Sequence, residues 1–304
     1  MVLTDDFELF DERFRALVLP NVHAETLHRG MRWAEGPAWL GAGRYLLWSD
    51  IPNDRVLRWD ATDGTVSTFE ERCGYHNGHT VDREGRLVSC EHGARRISRI
   101  EHDGSSSVLA ETFGGRRLNS PNDVVVASDG GIWFTDPTYG IDSDYEGSRT
   151  EPELDGSHVY RIDPDGSIAK VAGDFEKPNG LAFSPDERFL YIADTGATHR
   201  QDGPRHIRRF EVDGARLRGG AVLATCTNGL FDGFRVDEAG NIWTSAGDGV
   251  HCLAPDGERI GRIVCDETVA NVEFGGPKRN RLFICATTTL RAVYLNTQAA
   301  RRPR

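Results

Sequence analysis

One pattern recurs six times along this chain. The stretches EGPAWLGAGRYLLWSDIPNDRVLRWD from Glu35, NGHTVDREGRLVSCEHGARRISRIE from Asn77, NDVVVASDGGIWFTDPTYG from Asn122, NGLAFSPDERFLYIADTGATHR from Asn179, DGFRVDEAGNIWTSAGDGVHCLAPDG from Asp232 and NVEFGGPKRNRLFICATTTLRAVYL from Asn271 share it. Each opens on an acidic or amide residue. A short apolar run follows, then a polar turn, a second run rich in Leu, Ile, Phe and Trp, and a third run. A fourth, such as TVSTFE or IAKVAG, usually closes the copy. Copies begin roughly 40 to 57 residues apart, the period of a propeller blade, in which three or four strands bury both faces of their sheet against neighbouring sheets.

The pattern therefore predicts an all-β chain folded as a six-bladed β-propeller. The sixth copy runs out after three strands, near Leu295, while HAETLHRG (His23 to Gly30) precedes the first copy without a blade of its own. Pairing the two would supply the missing outer strand of the last blade and remove two exposed edges. On this reading residues 1–30 form an N-terminal segment carrying the closing strand, and 31–304 form the propeller, a single domain overall. The segment from Ile141 to Gly156, rich in Asp, Glu, Ser and Gly, reads as a surface loop of the third blade, or a lid.

In a propeller the first strand of each blade lines a central channel. The residues that open the copies, Glu35, Asn77, Asn122, Asn179, Asp232 and Asn271, are thus expected to face one axis as a ring of oxygens. Asn and Asp also favour strand starts for turn formation alone. Six in register, two of them carboxylates, create a desolvation problem that a hard divalent cation relieves. Carboxylate and amide oxygens without thiolate suit calcium or magnesium, and zinc or manganese also accept them.

The overall charge of −11 points the same way, since nucleic-acid binding needs a basic face. No apolar run reaches membrane-spanning length, and MVLTDDFELFDERFRALVLP lacks the order of a signal peptide. A soluble, cytoplasmic protein is the expectation, periplasmic or exported if a signal has been removed, and a monomer or weak homo-oligomer. The six scattered cysteines read as reduced thiols packed in strands; Cys252 and Cys265, flanking a hairpin, are the one pair placed for a bridge.

EGPAW (from Glu35), NSPNDVVVASDGGIWFTDPTYG (from Asn119), KPNGLAFSPDERFLYIADT (from Lys177) and FDGFRVDEAGNIWTS (from Phe231) resemble the gluconolactonase, regucalcin and luciferin-regenerating-enzyme family, over residues 30 to 295. The S-P-N-D and F-T-D-P-x-Y-G stretches are most similar to those of bacterial gluconolactonases. The resemblance implies a metal-dependent lactone hydrolase with Glu35, Asn179 and Asp232 as ligands of one divalent ion, calcium being the first choice. It also implies that Asn122 contributes to the metal or substrate shell. Where the animal members carry an Arg two residues before that Asn, this chain has Ser120, so their sugar contacts do not transfer.

The expected reaction is hydrolysis of a sugar lactone such as glucono-1,5-lactone to gluconate, with Asp232 as ligand and as candidate proton acceptor. Asn77 and Asn122 are expected to face substrate. His92, in SCEHGARR, and Asp136, at the end of IWFTD, are expected to contact it, with loop and turn roles as their alternatives. His76 and His79 lie at a turn into a strand, where their spacing carries no metal signal. Neither a G-x-S-x-G elbow, an H-E-x-x-H pair nor a phosphate-binding G-x-x-x-x-G-K loop is present. The alternatives are a phosphotriesterase on a similar propeller and a non-enzymatic binding propeller.

Overall fold

A computed structural model describes residues 3–300, in which six antiparallel blade sheets ring one axis and Thr112–Phe113 pairs with Arg116–Arg117 as a separate two-stranded ribbon. Blades one to four are four-stranded, and each is built from consecutive strands. Their innermost strands are Ala34–Leu40, His76–Val81, Val124–Val126 and Pro178–Phe183, followed by Phe234–Val236 in blade five and Val269–Gly275 in blade six. The second strands are the most apolar, and Trp48, Trp133 and Trp243 on them are fully buried between blades.

The ring closes as the strand count requires. Glu25–Arg29 pairs with Thr289–Tyr294, Glu25 facing Ala292 and Arg29 facing Thr289, and becomes the outer strand of blade six. A second closure was not legible in the sequence. Phe7–Leu9 adds a fifth strand to the edge of blade five against Arg259–Val264, and Phe14 buries its ring against Trp243 at a centroid distance of 5.9 Å. Gly261 makes room for that ring, because a β-carbon there would lie 2.1 Å from Phe14.

Irregularities in the inner strands put side chains on the axis. The ladder slips between Glu35 and Ala38, between His76 and His79, between Pro178 and Leu181, and between Val269 and Asn271. Each is a local bulge, the device that re-aims a side chain out of the alternating pleat. In blades one, two and four a glycine follows the re-aimed residue: Gly36 has a φ of +53°, and a β-carbon on it would meet the Asn77 carbonyl oxygen at 1.8 Å. A β-carbon on Gly180 would lie 2.1 Å from the Asp232 carbonyl oxygen, so the inner strands of blades four and five touch backbone to backbone there.

All six cysteines are free and buried. Cys252 faces Gly261 across its hairpin, so the pairing register keeps it from Cys265. Among the described residues no helix is long and apolar enough to cross a membrane.

Candidate active site

Glu35, Asn77, Asn122, Asn179 and Asp232, from the first five blades, line one cavity of about 280 Å³ at the N-terminal ends of the inner strands. Trp33, Tyr139, Tyr145, Glu146, Thr195, Thr198 and Leu230 complete the wall, and no Lys, Arg or His is among them. A larger hollow of about 500 Å³ lies at the other ends of the same strands, lined by Trp39, Val126, Phe183 and Phe274 around Arg235 and Glu273. Size favours that hollow, but the converging oxygen atoms lie in the smaller one, and we assign the chemistry there.

The electrostatics of the wall are unbalanced. Burial pushes the Glu35 carboxyl up to about 8, although the Asn271 amide donates to its Oε2 at 2.9 Å and the Gly36 N–H at 2.5 Å. Asp232 is raised well above the usual carboxylate range by burial and then by the charges of Glu35, Asp123 and Glu146. Glu146 is pushed to about 7, again chiefly by burial.

Asn271 departs from the expected ring of oxygens. Its Oδ1 accepts from Val272 N at 2.8 Å, which turns the amide nitrogen toward Glu35. It holds a wall residue in place and is not part of the wall. His92 and Asp136 also lie behind it. His92 is fully buried with Nε2 3.2 Å from Asn77 Nδ2 and Nδ1 3.1 Å from the Glu146 carbonyl oxygen, and burial lowers its pKa to about 4. Neutral at ordinary pH, it braces Asn77 and the blade-three insertion. Asp136 is fully buried, and burial pushes its carboxyl to about 7 while it accepts from Asn119 N at 2.9 Å. His79 sits between Ser49 Oγ and Ser89 Oγ at 2.9 and 2.8 Å, as a core histidine.

Asp136 belongs to a repeated device. Asp50 accepts from the N–H groups of Arg32 and Trp33, and Asp194 from those of Glu176 and Lys177. In blade two the same two positions, Gly74 and Tyr75, donate instead to Asp54. A carboxylate therefore grips the backbone two and three residues before Glu35, Asn77 and Asn179, and three before Asn122. The sequence places Asp50, Asp136 and Asp194 at strand ends, and the expectation of a substrate contact for Asp136 gives way to this grip on the backbone.

The insertion that reads as a loop or lid is a cavity wall. It begins with the short helix Tyr139–Asp142 and folds back on itself, Ser148 N donating to the Gly140 carbonyl at 3.0 Å. Ser120, at the position of the animal Arg, ties the insertion down: its Oγ donates to the Pro137 carbonyl at 2.7 Å and accepts from Gly140 N at 2.9 Å. The loop residues Tyr145 and Glu146 carry no sequence signal, because an insertion has no counterpart in the other five copies.

Among the described residues no three His, Cys, Asp or Glu side chains group to hold an ion. A cation at the hub would depend on amide oxygens beside the two carboxylates, which is the donor set Glu35, Asn179 and Asp232 offer.

Fold and site together define a six-bladed propeller with an acidic, oxygen-lined pocket at its hub. Residues 33–288 match the SMP-30/Gluconolactonase/LRE-like region, and the chain belongs to that family. A gluconolactonase of Zymomonas mobilis is 30% identical over 303 residues, covering 91% of this chain and 83% of the relative. A pentonolactonase of Haloferax volcanii is 30% identical over 265 residues, covering 83% and 81%. The solved structure of a gluconolactonase from Xanthomonas campestris superposes with a TM-score of 0.90 at 40% identity, over 96% of this chain and 95% of that one.

Proposed function

We propose that this chain is a lactone hydrolase that opens a sugar lactone of the glucono-1,5-lactone kind, with one divalent cation held by Glu35, Asn179 and Asp232. The observation that carries the reading is the meeting of these three side chains, from blades one, four and five, at a cavity without a basic residue on its wall. Two buried carboxylates, Glu35 raised chiefly by burial and Asp232 by burial and then by the charge of Glu35, need a positive charge, and all the donors offered to it are oxygens. The Zymomonas mobilis and Haloferax volcanii relatives are named as lactonases, and the matches cover most of this chain.

A bound divalent ion polarises an ester carbonyl and makes a nearby water easier to deprotonate. The residues supply the rest. Asp232, held by Ser245 Oγ accepting from its backbone N–H at 2.8 Å, has a carboxylate oxygen to take the proton of the attacking water. Asn77 and Asn122 present amides along the wall to ring hydroxyls, and Tyr139 and Tyr145 limit access of bulk water. Calcium is the preferred ion for this ligand set, with magnesium, zinc and manganese as alternatives.

The test is hydrolysis of glucono-1,5-lactone, followed by acid release, in the wild type and in Asp232→Ala and Asn179→Ala, each with and without chelator. Loss of at least about 100-fold in both folded variants and on chelation is expected, because transition-state charge stabilisation is removed. Wild-type preference for a phosphotriester assayed in parallel, or variants as active as the parent, would overturn the reading.

A further inference from the structure

We infer that Thr195 is a positioning residue that decides which end of the Asn179 amide faces the cavity. The inference rests on the reading of Asn179 as a cation ligand. A terminal amide presents an oxygen or an NH2 group of nearly identical shape, so its neighbours must choose the orientation. Thr195 is buried beside Asn179, and Asn179 Nδ2 donates to Thr195 Oγ1 at 3.1 Å.

Counting protons shows why the nitrogen turns that way. The Thr195 hydroxyl has one proton, which it gives to the Lys177 carbonyl at 3.1 Å. Its oxygen is then an acceptor, facing Asn179 and the Tyr139 hydroxyl, which lies at 2.7 Å. Thr198 Oγ1 lies 2.8 Å from the Thr195 carbonyl and 2.8 Å from the Tyr139 hydroxyl, either of which can take its proton. Burial raises the Tyr139 phenol, which keeps the proton it donates. The Asp232 side chain is the second neighbour of the Asn179 amide and is hydrogen-bonded to it. Thr195 demands N–H, and the amide oxygen is left for the cavity, where among the described residues it takes no hydrogen bond.

Neighbours that orient a metal ligand are typically worth 10 to 100-fold in metal affinity. Thr195→Val keeps the shape and removes the acceptor, while Thr195→Ser keeps the acceptor. Calcium titrated calorimetrically into metal-free protein should bind Thr195→Val about 10 to 100-fold more weakly than wild type, with Thr195→Ser within about threefold. Wild-type affinity in a folded Thr195→Val protein would overturn the inference. If the wild type itself takes up no calcium, the cation reading has failed, and Thr195 is judged separately from the side-chain amide resonances of Asn179, assigned by their loss in Asn179→Ala. A displaced or doubled pair in Thr195→Val, with a wild-type pair in Thr195→Ser, supports the role. An unmoved pair in Thr195→Val refutes it.

Discussion

Arg235 Nε donates to Glu273 Oε2 at 2.8 Å beneath the candidate site, in the channel that the six inner strands enclose. Its guanidinium also lies 4.0 Å from Asp123 Oδ2, on the residue that replaces the usual glycine after the blade-three Asn. Burial pushes Asp123 to about 6, and Arg235 opposes that rise. Breaking a buried ion pair by removing one partner costs about 3 to 5 kcal/mol. Arg235→Met should therefore lose about 3 kcal/mol in denaturant unfolding. The deficit should shrink as pH is lowered through about 6 and Asp123 takes up a proton; a deficit that does not change with pH would count against the assignment.

The cation-free protein should have a pH-dependent stability of defined sign. Glu35 has a folded pKa of about 8, above its unfolded value, so the folded state holds the extra proton between the two. Its contribution is complete below the unfolded pKa and is lost as pH rises through about 8, and Asp232 shifts in the same direction. Melting temperature in chelator should fall from pH 5 to pH 8, and saturating divalent cation should flatten the slope.

Asp194 gives the clearest test of the backbone grip. It accepts from Glu176 N at 3.0 Å, Lys177 N at 2.9 Å and Gly196 N at 3.3 Å. Hydrogen bonds to a charged acceptor are worth about 1.5 to 3 kcal/mol each, and unpaired buried donors add to the loss. Asp194→Ala should cost at least about 2 kcal/mol and reduce lactone turnover through the misplaced Asn179, and Asp194→Asn, which keeps one acceptor oxygen, should cost less. Thermal melts and turnover on the same samples check both.

Two glycines separate close approach from turn geometry. Gly180→Ala forces a β-carbon against the Asp232 carbonyl oxygen and should cost about 3 kcal/mol or more together with turnover. Gly85 has a φ of +85° with open space around it, so Gly85→Ala should cost about 1 kcal/mol and leave turnover intact. Equal effects of the two would contradict the backbone contact at the hub.

The repeat carried the fold because every copy must expose the same apolar faces to its neighbours, and the closing strand followed from counting strands in copy six. Phe7–Leu9 was illegible: three residues are too few to show alternation. At the site, residue identity located Glu35, Asn77, Asn122, Asn179 and Asp232, since a glycine follows the opening residue in four of the six copies. It could not show that Asn271 turns its nitrogen inward, since amide orientation depends on a neighbour far away in the chain. Glu146 and Tyr145 lie in the unrepeated insertion. Arg235, an arginine between the buried Phe234 and Val236, was the one overlooked residue whose signal was present in the sequence.

The paired strands Glu25–Arg29 and Thr289–Tyr294 also bear on how the molecule is made. The native partner of the first is made last, after the strands of the first five blades. The ring can close through this pair only once residues 289–294 have been made.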